Sequence, residues 1–430
     1  MIRVGAMRWL VSTMLVLMAC TPASEQADAT DEISPTSPTA APTAAATANA
    51  PQTPWFRLPV SISSNGVLVP FTLDGREVYL NLDTASWFSS LDPDRARAAG
   101  VSPGRLATRW GFGADAFDVG KKELVALPRP AHASAPDAAT RPVVGTAGNN
   151  MFAGMRIAFD PRRGEILLAP RSAGRVPLDG VGTPLVIRGE HVLAPDLRPE
   201  QNGIFVLPCA FDERPASTCM FDTGAPPPPT VIGALAAGLE AASSREVPAF
   251  ARDFTGKLLE GVFRLAPTLE LAGVHVADSQ PVRAMVDFEV LEAEARYFKR
   301  DIQGLIGIML QYVTVLDMEA ATLQLYPYSP DGGKRAPERS YFLGHGVIPT
   351  ELVSTPGGTT GARMRVVRGS AAEAAGLRQS DLLVGIGGDY TMSLAGIVLD
   401  TPGVARMFRI ARDERELDVS VVAEDLLRAD

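Results

Sequence analysis

Cysteine and histidine are scarce, with three and four copies in 430 residues. The histidines, His132, His191, His275 and His345, are scattered without metal-ligand spacing, so they read as surface or core residues and no histidine-built metal centre is expected. There is no Gly-x-Ser-x-Gly elbow, Walker loop or dinucleotide fingerprint, which removes the common serine-hydrolase, nucleotide-hydrolysing and hydride-transfer sites, and no cofactor is expected. A single-signed charge stripe is also missing. The 40 basic and 49 acidic residues are spread along the chain, and a formal charge of −9 without a basic patch excludes a nucleic-acid role. The apolar run Trp9 to Met18 is too short to span a bilayer comfortably. What is present is ordinary apolar content, 46%, in a chain long enough for two or three domains with real cores.

Arg3 and Arg8 precede that apolar run, and Leu17-Met18-Ala19-Cys20 follows it, an arrangement that reads as export. The tetrapeptide resembles a bacterial lipobox. This implies a signal peptide over 1–19, cleavage before Cys20, lipidation of its thiol and anchoring to a membrane; a plain signal peptide or short anchor is the alternative. Thr21 in place of aspartate points, by analogy with lipoprotein sorting, to the outer membrane facing the periplasm. Residues 20–54 are Ala, Thr, Pro and Ser with few large apolar side chains, too little buried surface to offset ordering entropy, and read as a disordered tether. Cys209 and Cys219 then remain as an even pair in an oxidising compartment. A hairpin symmetric about Arg214 would set them opposite one another, bridged or as two half-buried thiols.

The chain repeats itself. Val67 to Leu82 is apolar and branched but broken by Asp74-Gly75, a tight-hairpin dipeptide, and delivers Asp83-Thr84-Ala85-Ser86. Ile204 to Phe221 does the same about Asp212 to Pro215 and delivers Asp222-Thr223-Gly224-Ala225. Pro70 precedes Asp74 by the same interval that separates Pro208 from Asp212. Val143-Val144-Gly145 and Leu305-Ile306-Gly307 close the two copies, each followed by a hairpin, about Asp160 and Asp317. Two halves of one ancestral unit, 55–171 and 183–329, are expected.

Each half resembles the retropepsin-like aspartic peptidases, and the pair resembles the single-chain arrangement of pepsins. The resemblance implies a mainly β fold of two retropepsin-like β-barrel lobes with Asp83 and Asp222 as a catalytic dyad. Two adjacent carboxyls cannot both ionise easily, so they share a proton, one activating water while the other polarises the peptide carbonyl. The family implies that Thr84 and Thr223 brace the loops, that Gly224 allows close backbone approach, that Ser86 bonds the carboxylate, and that Gly145 and Gly307 pack beneath. Trp110 to Asp115 and Asp253 to Gly256 are the candidate flaps. One chain carries both carboxyls, so catalysis by a monomer on a peptide or protein substrate is implied. Ala85, where the family has glycine, and Pro226 to Pro229, which remove backbone donors, lean instead toward an inactive peptide-binding lipoprotein that keeps the fold. A third Asp-Thr, Asp400-Thr401, lacks both hairpin and closing glycine and reads as a helix cap before Pro402.

After a turn-rich linker, residues 340–426 carry Val366 to Leu383, including Ala375-Gly376-Leu377 and Asp381-Leu382, which resembles the core of bacterial PDZ domains. The resemblance implies a C-terminal peptide ligand held at Phe342-Leu343-Gly344, a groove helix over Thr401 to Ile410 and a closing strand over Leu417 to Val422. A purely packing role for this unit is the alternative.

Overall fold

A computed structural model describes residues 55–426 except 64–65, 129–140, 196–202, 213, 226–227, 240–246, 253–257, 287, 309–311, 329–342, 355–359, 388–402 and 414. The expected signal peptide, Cys20, the tether, Pro226 and Pro227, the Asp253 to Gly256 turn, Phe342 and the Asp400-Thr401 cap lie outside the described residues. The fold is mainly β. Among the described residues, no helix is long and apolar enough to cross a membrane.

The first half runs β1 (Phe56–Pro59), β2 (Ser61–Ser63), β3 (Gly66–Leu73), β4 (Arg76–Leu82), β5 (Ser89–Leu91), a short helix (Pro93–Ala98), β6 (Gly104–Trp110), β7 (Phe117–Ala126), β8 (Val143–Ala147), β9 (Met155–Asp160) and β10 (Glu165–Pro170). Asp74 and Gly75 both take positive φ, 44° and 81°, as a two-residue turn between β3 and β4 requires. The second half runs β11 (Leu185–Arg188), β12 (Glu190–Val192), β13 (Ile204–Phe211), β14 (Ser217–Phe221), β15 (Thr230–Val231), a short helix (Gly233–Gly238), β16 (Pro248–Arg252), β17 (Leu258–Leu271), β18 (Val274–Met285), a helix (Glu289–Phe298), β19 (Ile302–Ile306), β20 (Tyr312–Asp317) and β21 (Thr322–Pro327).

The repeat read from the sequence recurs as strand pairing. In the first half β4 lies parallel to β8, β5 antiparallel to β8 and parallel to β7, and β3 antiparallel to β6. In the second half β14, β19, β15, β18, β13 and β17 pair in the same senses. The two closing hairpins, β9–β10 and β20–β21, join side by side through β9 and β20, and β1 and β11 complete one six-stranded sheet shared by both halves. A core of side chains such as Phe71, Leu80, Trp110, Phe159, Phe211 and Phe221 fills the space behind these sheets.

Two expectations shift. Phe71 pairs with Trp110, and its counterpart Cys209 pairs with Leu271, so the turn at 110–115 corresponds to Ala272-Gly273 rather than to 253–256. Strand β16, which hairpins onto β17, has no partner of its kind in the first half, where β6 follows the helix almost at once. The 110–115 turn is tied to its own half: Gly111 N–H donates to the Pro70 carbonyl at 2.7 Å and Gly113 N–H to Glu77 Oε1 at 3.0 Å. The glycine pairing also moves. Leu80 pairs with Gly145 and Cys219 with Gly304, so Gly145 matches Gly304, and Gly307 matches Gly148.

The C-terminal segment forms β22 (Leu343–Gly344), β23 (Val347–Ser354), β24 (Thr360–Val366), a one-turn helix (Ala371–Ala374), β25 (Leu382–Ile386), β26 (Ala405–Arg412), β27 (Arg415–Val422) and β28 (Glu424–Asp425). β23 to β27 make a sheet in chain order, and β22 pairs with β28. Ser370 caps the helix and Gly376, at φ 88°, closes it. Asp381 is buried and receives Arg412 Nε and Nη2, each at 2.6 Å. The groove helix expected over 401–410 is overturned for 405–410, which belong to β26. Phe408 and Ile410 point inward while Arg409 points out, a two-residue period, and Asp413 at φ 48° turns the chain into β27. The closing strand falls where expected.

Candidate active site

Asp83 follows β4 and Asp222 follows β14, each at the end of a strand held in the interior of its half. Their backbones are anchored identically: Asp83 N–H donates to the Ala147 carbonyl at 3.0 Å and Asp222 N–H to the Ile306 carbonyl at 2.9 Å. The threonines then cross between halves. Thr84 Oγ1 donates to the Phe221 carbonyl at 2.9 Å and accepts Thr223 N–H at 2.9 Å, while Thr223 Oγ1 donates to the Leu82 carbonyl at 2.9 Å and accepts Thr84 N–H at 3.1 Å. Both are fully or almost fully buried. Four bonds thus fix one loop against the other.

This brace brings the carboxyls together. A Cβ placed on Gly224 would lie 2.9 Å from Asp83 Cγ and 3.1 Å from Asp222 Oδ1, so the glycine sits against both side chains and only its missing methyl lets the first carboxylate in. Asp83 Oδ1 accepts Ala85 N–H and Ser86 N–H, each at 3.0 Å, and Asp222 Oδ1 accepts Gly224 N–H at 2.7 Å. Burial pushes the Asp222 carboxyl well above the usual carboxylate range, the Asp83 charge and a side-chain hydrogen bond with Asp83 add to this, and the Gly224 and Ala225 N–H groups oppose it. A carboxyl held protonated beside an acceptor can donate to a carbonyl, and its neighbour can take a proton from water.

The expected supports are met unevenly. Ser86 serves Asp83 through its backbone N–H; its hydroxyl donates to the Phe88 carbonyl at 2.8 Å, so the expected hydroxyl bond to the carboxylate is corrected. Gly307 does lie beneath the second loop, where a Cβ would come 2.3 Å from the Ala225 carbonyl. Under the first loop that place belongs to Gly148, whose Cβ would meet the Phe88 and Ser86 carbonyls at 2.2 and 2.5 Å, while Gly145 packs on Ser90. Asn149 was missed. It is fully buried and its Nδ2 donates to the Thr84 and Gly203 carbonyls, each at 2.7 Å, tying the first loop to the start of β13. A polar residue directly after Ala147-Gly148 was the available signal.

Cys209 and Cys219 form a disulfide across β13 and β14, with Cα atoms 5.7 Å apart. They are not directly opposite: Cys209 pairs with Ser217 and Leu207 with Cys219, so the bridge runs diagonally on one face. Leu343 and Gly344 lie in β22, where they pair with Asp425 and Glu424 of β28. Among the described residues no cluster of three or more His, Cys, Asp or Glu side chains is placed to hold a metal ion.

No known protein family matches the chain by sequence, and no curated protein matches it. Among solved structures it is similar to basic 7S globulin from soybean, over 66% of this chain and 97% of that one, at 10% identity and a TM-score of 0.39. A likeness that distant carries no inference about function.

Proposed function

We propose that the protein is an aspartic endopeptidase of the bacterial cell envelope, built as two retropepsin-like lobes with a C-terminal PDZ domain and tethered through a lipid on Cys20. The observation that carries the reading is the buried Asp222 carboxyl, hydrogen-bonded to Asp83 and raised above the ordinary range by burial and by that neighbour. Two such carboxyls hold one proton as a unit. The ionised member removes a proton from water as it attacks the peptide carbonyl, the protonated member donates to the carbonyl oxygen, and the tetrahedral intermediate collapses with proton return to the leaving amine. No acyl-enzyme forms.

Ala85, the departure that leaned toward an inactive protein, offers its N–H to Asp83 and so keeps the bond a glycine would supply. A second reading, a peptide-binding lipoprotein without catalysis, draws on the C-terminal unit: Ile348, Val367 and Leu426 share one apolar cluster with Ala85 and Trp87 beside the first loop. In that reading the C-terminal unit braces a binding cleft. Cleavage of peptide libraries from acidic to neutral pH separates the two. The endopeptidase reading expects discrete internal cuts that vanish in Asp222→Asn; equal cutting by parent and variant, or none by the parent, overturns it.

A further inference from the structure

Arg283 is 7% exposed, and among the described residues the single polar partner of its guanidinium is the Thr230 hydroxyl, 3.2 Å from Nη1. Its Nε–H has no hydrogen-bond partner there, and the Phe263 ring centroid lies 5.8 Å from Cζ. Burial without a facing carboxylate pulls the guanidinium down to about 10. Buried arginines are ordinarily matched by an acid, because an uncompensated charge out of water is costly. Two half-buried arginines are matched in this way: Arg412 clasps Asp381 and Arg162 clasps Asp160. Arg283 departs from this rule.

Its position gives the departure a use. Arg283 pairs with Thr230, Thr230 with Leu305, and Leu305 with Met220, so these four lie in one row across β18, β15, β19 and β14 on a single face of the sheet. Met220 stands two residues before Asp222, which follows the end of β14 at Phe221. Met220, Leu305 and Phe263 share one apolar cluster with Ala85 of the first loop, so the guanidinium stands on the face of the sheet that meets that loop. Three strand spacings separate the backbones of β18 and β14, roughly 14 Å. An extended peptide covers that in about four residues, and fewer when the long arginine side chain reaches toward it.

We infer that Arg283 is the anchor of a substrate subsite that takes a carboxylate, an Asp or Glu side chain roughly two to four residues from the scissile bond. The inference rests on the endopeptidase reading for the identity of the ligand as substrate. Its fork supplies two parallel N–H donors, which match a carboxylate bidentately and a neutral amide poorly. Phe263 and Thr230 wall the guanidinium from water and so strengthen the pairing when a carboxylate arrives.

The test uses the mature chain and peptides that differ only by Glu or Gln at each position around a cut site. Cleavage is scored by kcat/KM, and binding to the Asp222→Asn variant is scored in parallel, so that failure of catalysis and failure of the subsite are told apart. At one position the Glu peptide should be favoured at least about tenfold in both readouts. Arg283→Leu should abolish that preference, and Arg283→Lys should retain part of it. Because the leucine also removes an unmatched buried charge, Arg283→Leu should raise Tm by a few degrees. No Glu preference at any position, a preference that survives in Arg283→Leu, or a lowered Tm in that variant overturns the assignment. Should the parent cut nothing while the Glu preference in binding persists, the subsite stands and the endopeptidase reading falls.

Discussion

The loops at 83–86 and 222–225 receive their backbones from equivalent strands and are pinned by equivalent threonine bonds, yet they finish differently. The first accepts two N–H bonds on its carboxylate, from Ala85 and Ser86, in a half-buried setting. The second buries its carboxyl, and Burial of Asp222 outweighs the N–H bonds that oppose it, leaving this carboxyl raised. A symmetric scaffold with asymmetric loops is what acid–base work requires, because the two carboxyls need unlike protonation at one moment. The differing residues, Ala85 against Gly224, fall where the asymmetry is made. Gly224 must lack a Cβ to admit Asp83, whereas Ala85 joins an apolar cluster with Trp87.

The comparison breaks most visibly at the carboxyls. Asp83→Asn and Asp222→Asn should each lower kcat/KM by about 10³-fold, to similar residual rates, since either change destroys the shared proton; unequal losses would assign the chemistry to one loop. Next in size is the staple that the second half alone carries. Reducing Cys209–Cys219 should cost about 3 kcal/mol by denaturant titration, and a Cys209→Ala, Cys219→Ala variant should be insensitive to reductant. The threonine brace should be balanced: Thr84→Val and Thr223→Val each remove two cross-half bonds and should each cost about 2 kcal/mol, with a difference between them marking one loop as the more strained. Smallest is the glycine contrast. Gly224→Ala should cost about 1 to 2 kcal/mol and most of the activity through overpacking, while Ala85→Gly should leave the cleavage rate within about twofold of the parent.

Much of this plan was legible in the chain. Asp74-Gly75 declared its turn because both residues must take positive φ, and the duplicated hairpin with Asp-Thr placed both carboxyls. The glycine match failed by three residues because two glycines, Gly145 and Gly148, stand within one stretch and only strand register tells which lies under the loop. Ser86 was assigned by residue type, but its hydroxyl is drawn to the Phe88 carbonyl, a choice set by local backbone geometry. The helix expected over 401–410 ignored the two-residue period of Phe408 and Ile410. Arg283 drew no notice, since a lone arginine between Val282 and Ala284 reads as a solvent-facing strand position until burial is known.

The pair's protonation tests the central claim most directly. Asp222 is raised, so the folded chain keeps a proton that the unfolded chain has released above the ordinary carboxylate range, and stability should fall as pH rises from about 4 toward neutrality. Asp222→Asn should remove that fall. The decisive measurement follows the aspartate side-chain carboxyl carbons by NMR from acidic to neutral pH, in the parent and in Asp83→Asn. The account predicts that Asp222 keeps its proton to a higher pH in the parent and releases it earlier in Asp83→Asn, while staying above an exposed aspartate because burial persists. Identical Asp222 titration with and without the Asp83 carboxylate would contradict a shared proton.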